Sequence, residues 1–193
     1  MRIAWFYVLI LSTIGVVTYT VNKKRGGYMY QSNRFPNFLG LLSRRPEAFA
    51  RVSGSAAYPA IRGNVRFYQT VYGVVAVAEL MGLPKREGDC AGPIFAFHIH
   101  EGASCTGQGA DPFSDVGMHY NPEECPHPYH TGDLPPLWGA EGGYAFSAFL
   151  TDRFRVADVI GRSVVIHASL DDFSTQPAGN AGSKIACGEI TRA

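Results

Sequence analysis

Ile94-Phe95-Ala96-Phe97-His98-Ile99-His100 is the stretch on which the fold of this chain turns. Side chains of a strand alternate between faces, so His98 and His100 share one face while Phe95, Phe97 and Ile99 point to the other, into a core. Two imidazoles on neighbouring same-side positions can share one metal ion, although an isolated H-x-H pair is often just two surface histidines. Pro93–His100 sits among further short strand candidates: Ala48–Tyr58 and Asn64–Thr70 around a Pro59/Gly63 turn, then Val71–Leu80, Tyr144–Leu150, Ser163–His167 and Lys184–Ile190. Between them, Glu101–Gly143 and Ala168–Ser183 are rich in Gly, Pro and Asp and lack a helical period. Loops this long in a compact domain are functional or stapled by something.

Composition agrees with a β protein. The 193 residues are 46% hydrophobic, include 22 Gly and 12 Pro, and carry a formal net charge of +1. That excludes disorder, leaves no nucleic-acid footprint and fits a single turn-rich domain with a short extension. The charge is unevenly placed. Residues 1–46 hold seven basic residues (Arg2, Lys23, Lys24, Arg25, Arg34, Arg44, Arg45) and no acidic one, leaving ten of the 17 basic residues against all 16 acidic ones downstream. The leader, 1–46, is therefore about +7 and the body, 47–193, about −6.

Within the leader, Ile3–Val21 is a run of 19 residues without charge, closed by Lys23-Lys24-Arg25. Its length suits a membrane-spanning helix, and no small-residue cleavage site follows, so it reads as an uncleaved N-terminal anchor. A buried helix, or a true start at Met29, are the competing readings. The basic cluster would hold the body in the cytoplasm by the positive-inside bias. Asn37–Phe49 reads as a connector or short helix broken at Arg45-Pro46.

The remaining histidines change the weight of the H-x-H pair. His119, His127, His130 and Asp133 lie within one loop and make an N/O ligand set suited to Zn²⁺. His167 ends the apolar strand Val164-Val165-Ile166; its ring is either a satisfied core histidine or a ligand. All six histidines of the chain fall into these groups.

Together the residues resemble the copper/zinc superoxide dismutases. The matching stretches are FAFHIHEGASC (Phe95–Cys105), GMHYNP (Gly117–Pro122), HTGDLP (His130–Pro135), GRSVVIHASLDD (Gly161–Asp172) and GNAGSKIACGEI (Gly179–Ile190), in the family's order and over roughly residues 48–192. The resemblance implies an all-β, eight-stranded antiparallel Greek-key barrel or sandwich carrying its metals on two long loops. It implies copper on His98, His100, His119 and His167, and zinc on His119, His127, His130 and Asp133, with His119 bridging. Asp171 matches a carboxylate that hydrogen-bonds one copper and one zinc histidine, and would otherwise be a solvated loop acid. Cys105 and Cys187 match the family's intrasubunit disulfide. The implied reaction is disproportionation of superoxide to O₂ and H₂O₂, with His119 carrying a proton.

Some residues depart from the family pattern. Lys184 stands where arginine is usual, keeping the positive charge that attracts an anion but losing the planar fork. Only Pro128-Tyr129 separate His127 from His130, much less than the family norm, and Phe173–Gly179 is short and without the usual steering charges. Cys90 and Cys125 either pair or remain thiols. A disulfide and a copper enzyme both suit an oxidising compartment, against the positive-inside reading, so the expected location is membrane-anchored and extracytoplasmic, with a cytoplasmic body the alternative. Superoxide is the expected partner, and family members differ in how they pair, leaving a homodimer open. Two other classes compete with the enzyme: a non-catalytic copper/zinc-binding module of the same fold, and a cupin-like H-x-H barrel with one metal per chain, which leaves Asp133 unused.

Overall fold

The structure is a computed structural model; it describes the backbone of residues 9–12, 15–18, 20–24, 27–31 and 38–39 and, in full, residues 40–85 and 93–193. The chain divides into two units, residues 1–44 and 45–193, each described by itself.

In the first unit, β1 (Leu9–Ser12) pairs antiparallel with β2 (Gly15–Thr18), and β3 (Thr20–Lys24) with β4 (Gly27–Gln31). The five-residue helix α1 (Phe38–Leu42) follows. This corrects the expected helix over residues 3–21: its described part is strand, and among the described residues no helix is long and apolar enough to cross a membrane. Hydropathy scores the run as apolar without seeing that Ile10, Val16, Val17, Thr18 and Val21 are β-branched and that Gly15 interrupts it. Those features favour extended backbone.

The second unit is an antiparallel β structure. Its strands are β5 (Ala48–Gly54), β6 (Arg62–Thr70), β7 (Gly73–Met81), β8 (Ile94–Phe95), β9 (Phe97–His100), β10 (Leu137–Trp138), β11 (Ala145–Thr151), β12 (Ser163–His167) and β13 (Lys184–Arg192), with a one-turn helix α2 at Val156–Val159. β5, β6 and β7 form successive hairpins, and Gly73 closes the second at φ +128°, a conformation that L side chains avoid. The main sheet runs β11-β7-β6-β5-β13-β12-β9. It then curls back on itself: β8, continuous with β9 but for Ala96, pairs with β10, and a bridge from Gly139 to Ala145 joins β10 to β11.

Strand parity fills the interior. Phe95, Phe97 and Ile99 join Val164 and Ile166 of β12, Val65 and Phe67 of β6, and Ala76, Ala78 and Leu80 of β7 in one buried core. Burial of such side chains contributes roughly 1.5–3 kcal/mol each. On the opposite face, Val165, Phe113, Val116 and Cys187 form a smaller cluster with Cys105 packed against it. That cluster seats the start of the Glu101–Gly143 loop on the outside of the sheet.

The expected strands are present with shifted ends. Ala48–Tyr58 stops at Gly54, Val71–Leu80 starts at Gly73 because Thr70–Gly73 is the turn, and Pro93–His100 is broken at Ala96. The break has a partner: Ala96 donates to Ser169 O (2.8 Å) and accepts from His167 N (3.0 Å), binding β9 to the end of β12.

Candidate metal centre

His98 and His100 project from β9 on the face away from the core, and His167 ends β12 beside them. All three are nonetheless buried, because the two long loops cover that face. The first loop is stitched to the free edge of β9. Leu134 N donates to Phe97 O (3.3 Å), Ile99 N to Gly132 O (2.8 Å), Tyr120 N to Ile99 O (2.8 Å) and Glu101 N to Met118 O (3.0 Å). These bonds set His119 opposite His100 and Asp133 opposite His98.

The result is two clusters sharing one residue. Ligand atoms of His98, His100, His119 and His167 lie within 4.8 Å of one another, and so do those of His119, His127, His130 and Asp133. Every histidine and Asp133 that the sequence singled out is therefore brought together. In the second cluster, His119 Nδ1 is 2.8 Å from Asp133 Oδ1 and 3.3 Å from His130 Nδ1. His127 Nδ1 lies 3.1 Å from Asp133 Oδ2, without the alignment of a hydrogen bond.

The outer nitrogens determine which inner nitrogens are free. His100 Nδ1 donates to Gly117 O (2.9 Å) and His167 Nδ1 to Gly182 O (3.2 Å). Because a carbonyl can only accept, both rings present an Nε2 lone pair inward, 3.3 Å apart. Asp171 does the same for one histidine of each cluster, accepting from His98 Nε2 and His127 Nε2, both at 2.8 Å. His98 Nδ1, His127 Nδ1 and His119 Nε2 are then buried nitrogens without a hydrogen-bond partner. Orphaned inward lone pairs on rings locked from outside are what metal ligation requires, so the residues fit two metal ions.

Electrostatics keep these ligands in their binding forms. Burial pushes His100 down to about 2 and His167 to about 3, with like-charged neighbouring histidines adding to the effect. Burial also lowers His98 and His130. Burial opposes ionisation of Asp171, but hydrogen bonds from His98, Phe173 N–H and His127 outweigh it and hold the carboxyl at about 2. Asp133 is likewise held low against its burial, chiefly by His119.

One residue differs from its expected setting. Lys184 sits across the β12–β13 ladder from His167, yet its ammonium is not free: it is paired with Asp111. Cys125 carries a free thiol outside both clusters, and Cys90 lies outside the described residues. Cys105 and Cys187 form a disulfide across 82 positions, joining the first loop to β13. A cleft of about 420 Å³, lined by Glu101, Met118, Asn121 and Arg162 among others, reaches His119 and His130.

Sequence reasoning passed over several contributors. Gly117 and Gly182 supply carbonyls to the histidines, and Gly179, at φ +67°, lets Asp171 and His127 meet: a Cβ there would lie 1.9 Å from Asp171 Oδ1. Gly117, Gly179 and Gly182 all fall within the quoted motifs GMHYNP and GNAGSKIACGEI, so a signal existed. Arg153 and Gln176 had none.

Comparison with known proteins meets this geometry. The family described as copper/zinc superoxide dismutase (SODC) matches residues 61–190, more than half of the chain. The chain belongs to the copper/zinc superoxide dismutase family. Curated members it resembles include superoxide dismutase [Cu-Zn] of Legionella pneumophila, 36% identical over 139 residues, covering 68% of this chain and 79% of that protein. The Deinococcus radiodurans superoxide dismutase [Cu-Zn] is 35% identical over 145 residues, covering 66% and 76%. The structure of Cu/Zn superoxide dismutase from Brucella abortus superposes with a TM-score of 0.62 at 24% identity, over 74% of this chain and 99% of that one. That likeness bears on the fold, and agrees with the all-β antiparallel architecture.

Proposed function

We propose that His98, His100, His119 and His167 hold copper, that His119, His127, His130 and Asp133 hold zinc, and that superoxide is disproportionated at the copper site, which His119 bridges to zinc. The observation that carries this is His119: its Nδ1 faces Asp133 and His130, while its Nε2 is buried without a partner beside His98, His100 and His167. One imidazole thus serves two centres. Copper supplies, when bound, the one-electron exchange that zinc cannot.

The remaining work belongs to the chain. Gly117 O, Gly182 O and Asp171 hold the ring tautomers fixed, so the ligand nitrogens need no rearrangement when the metals arrive. His119, kept in place through Nδ1, takes up a proton at Nε2 and delivers it to the departing product. Overall, two superoxide anions and two protons give O₂ and H₂O₂. Lys184 contributes positive charge beside His167, with Asp111 fixing where that charge sits. Residues 47–193 carry the activity, and the Cys105–Cys187 disulfide supports residence in an oxidising compartment outside the cytoplasm.

The test is metal analysis of the full chain joined to a superoxide assay. Two metals per chain and dismutation are expected. Full occupancy of both metals without turnover would overturn the enzyme in favour of the non-catalytic module, and a single metal per chain would overturn the two-site ligand assignment.

A further inference from the structure

We infer that Arg153 and Gln176 are positioning residues for the zinc ligands, gripping the backbone that presents His127, His130 and Asp133. The inference rests on the zinc assignment made above.

The segment that needs holding is well defined. The stitching along β9 reaches Tyr120, Gly132 and Leu134, while His127-Pro128-Tyr129-His130 lies beyond those bonds and belongs to no helix or strand. A ligand on such a segment keeps its direction only if its own peptide groups are held. Two side chains from elsewhere in the sequence do this. Arg153, two residues past β11, directs Nη1 at the carbonyls of Pro128 (3.3 Å), His130 (3.1 Å) and Asp133 (3.2 Å). Gln176, on the loop between β12 and β13, clasps the peptide of His127 from both sides: its Nε2 donates to His127 O (2.7 Å) and its Oε1 accepts from His127 N (3.0 Å).

The chemistry suits each position. A guanidinium is purely a donor, so it can gather several carbonyls that would otherwise repel, whereas a carboxamide carries one donor and one acceptor group and complements a peptide unit. Together the two reach the backbone of all three loop ligands that zinc does not share with copper.

The experiment uses the full chain, with zinc affinity measured by competition against a chromophoric chelator and with cobalt placed in the zinc site as a spectroscopic reporter. R153M and Q176L are each expected to weaken zinc by roughly 10–100-fold. They should also alter the cobalt spectrum and leave the copper spectrum close to wild type. R153K, a single donor centre without the fork, is expected to recover part of the loss. Unchanged zinc affinity in both R153M and Q176L would overturn the inference, as would zinc and copper weakening to the same degree. Should R153M fail to fold, Q176L and R153K still decide. If H130A in an otherwise wild-type chain leaves zinc affinity intact, the zinc assignment itself fails, a result separate from the behaviour of Arg153 and Gln176.

Discussion

The two halves of the metal centre are built on different foundations. Three of the four histidines proposed for copper stand on β9 and at the end of β12, strands hydrogen-bonded to each other and packed against the core below. The residues proposed for zinc all come from one loop, whose shape depends on side chains reaching in from elsewhere. Strand periodicity places a ligand without help from its neighbours, whereas loop placement has to be assembled bond by bond. The zinc half should therefore be far more sensitive to substitutions that never touch a metal.

His119 is where the comparison can be broken outright, since it belongs to both halves. His119→Ala should abolish dismutation, disturb the copper spectrum and weaken zinc together; loss of one metal alone would show that the two halves are independent. Next in size is the disulfide. Replacing Cys105 and Cys187 with serine removes a cross-link over 82 positions, and the chain-entropy estimate of its contribution is about 4–5 kcal/mol. Urea unfolding should record that loss, with zinc retention suffering before copper retention because the loop loses its tether to β13.

Asp171 sharpens the comparison, holding one histidine from each half. Asp171→Asn should reduce metal affinity roughly 10–100-fold, more for zinc than for copper if the loop half is indeed the softer. Gly179→Ala should act in the same direction by driving a methyl group into the Asp171 carboxylate, and calorimetry of the metal-loaded protein would register a lower transition temperature.

A separate expectation concerns pH and the chelator-treated protein. His98, His100, His130 and His167 titrate below the usual histidine range when folded, so below about pH 6.5 the unfolded chain binds protons that the native state does not. Stability must then fall as pH drops from 6.5 and fall further below about 3.8, where Asp133 and Asp171 join in. Urea midpoints at pH 7.5 and pH 5 check this; equal midpoints would contradict it.

The same contrast explains what could be read from the sequence. His98 and His100 were legible because period-two alternation encodes both their shared face and the core beneath them, and His167 because it closes an apolar strand. The zinc set was legible as a group of ligand types, but its geometry was not. Nothing in composition or spacing reveals that Tyr120 and Gly132 pair with the edge of β9, or that exposed polar residues such as Arg153 and Gln176 serve the site. Lys184 was legible as a positive charge, while its pairing with Asp111, 73 positions away, carried no local signal. In the leader, hydropathy suggested a helix where β-branched residues form hairpins.

The last strand has a consequence in time. β13, residues 184–192, lies between β5, the first strand of the sheet, and β12, and it carries one half of the disulfide. Within the main sheet it joins the β5–β6–β7 hairpins to the β9–β12 pair, and it brings Cys187 to Cys105. Closure of the main sheet and formation of the Cys105–Cys187 disulfide therefore depend on contacts distant in sequence, which are slow to form.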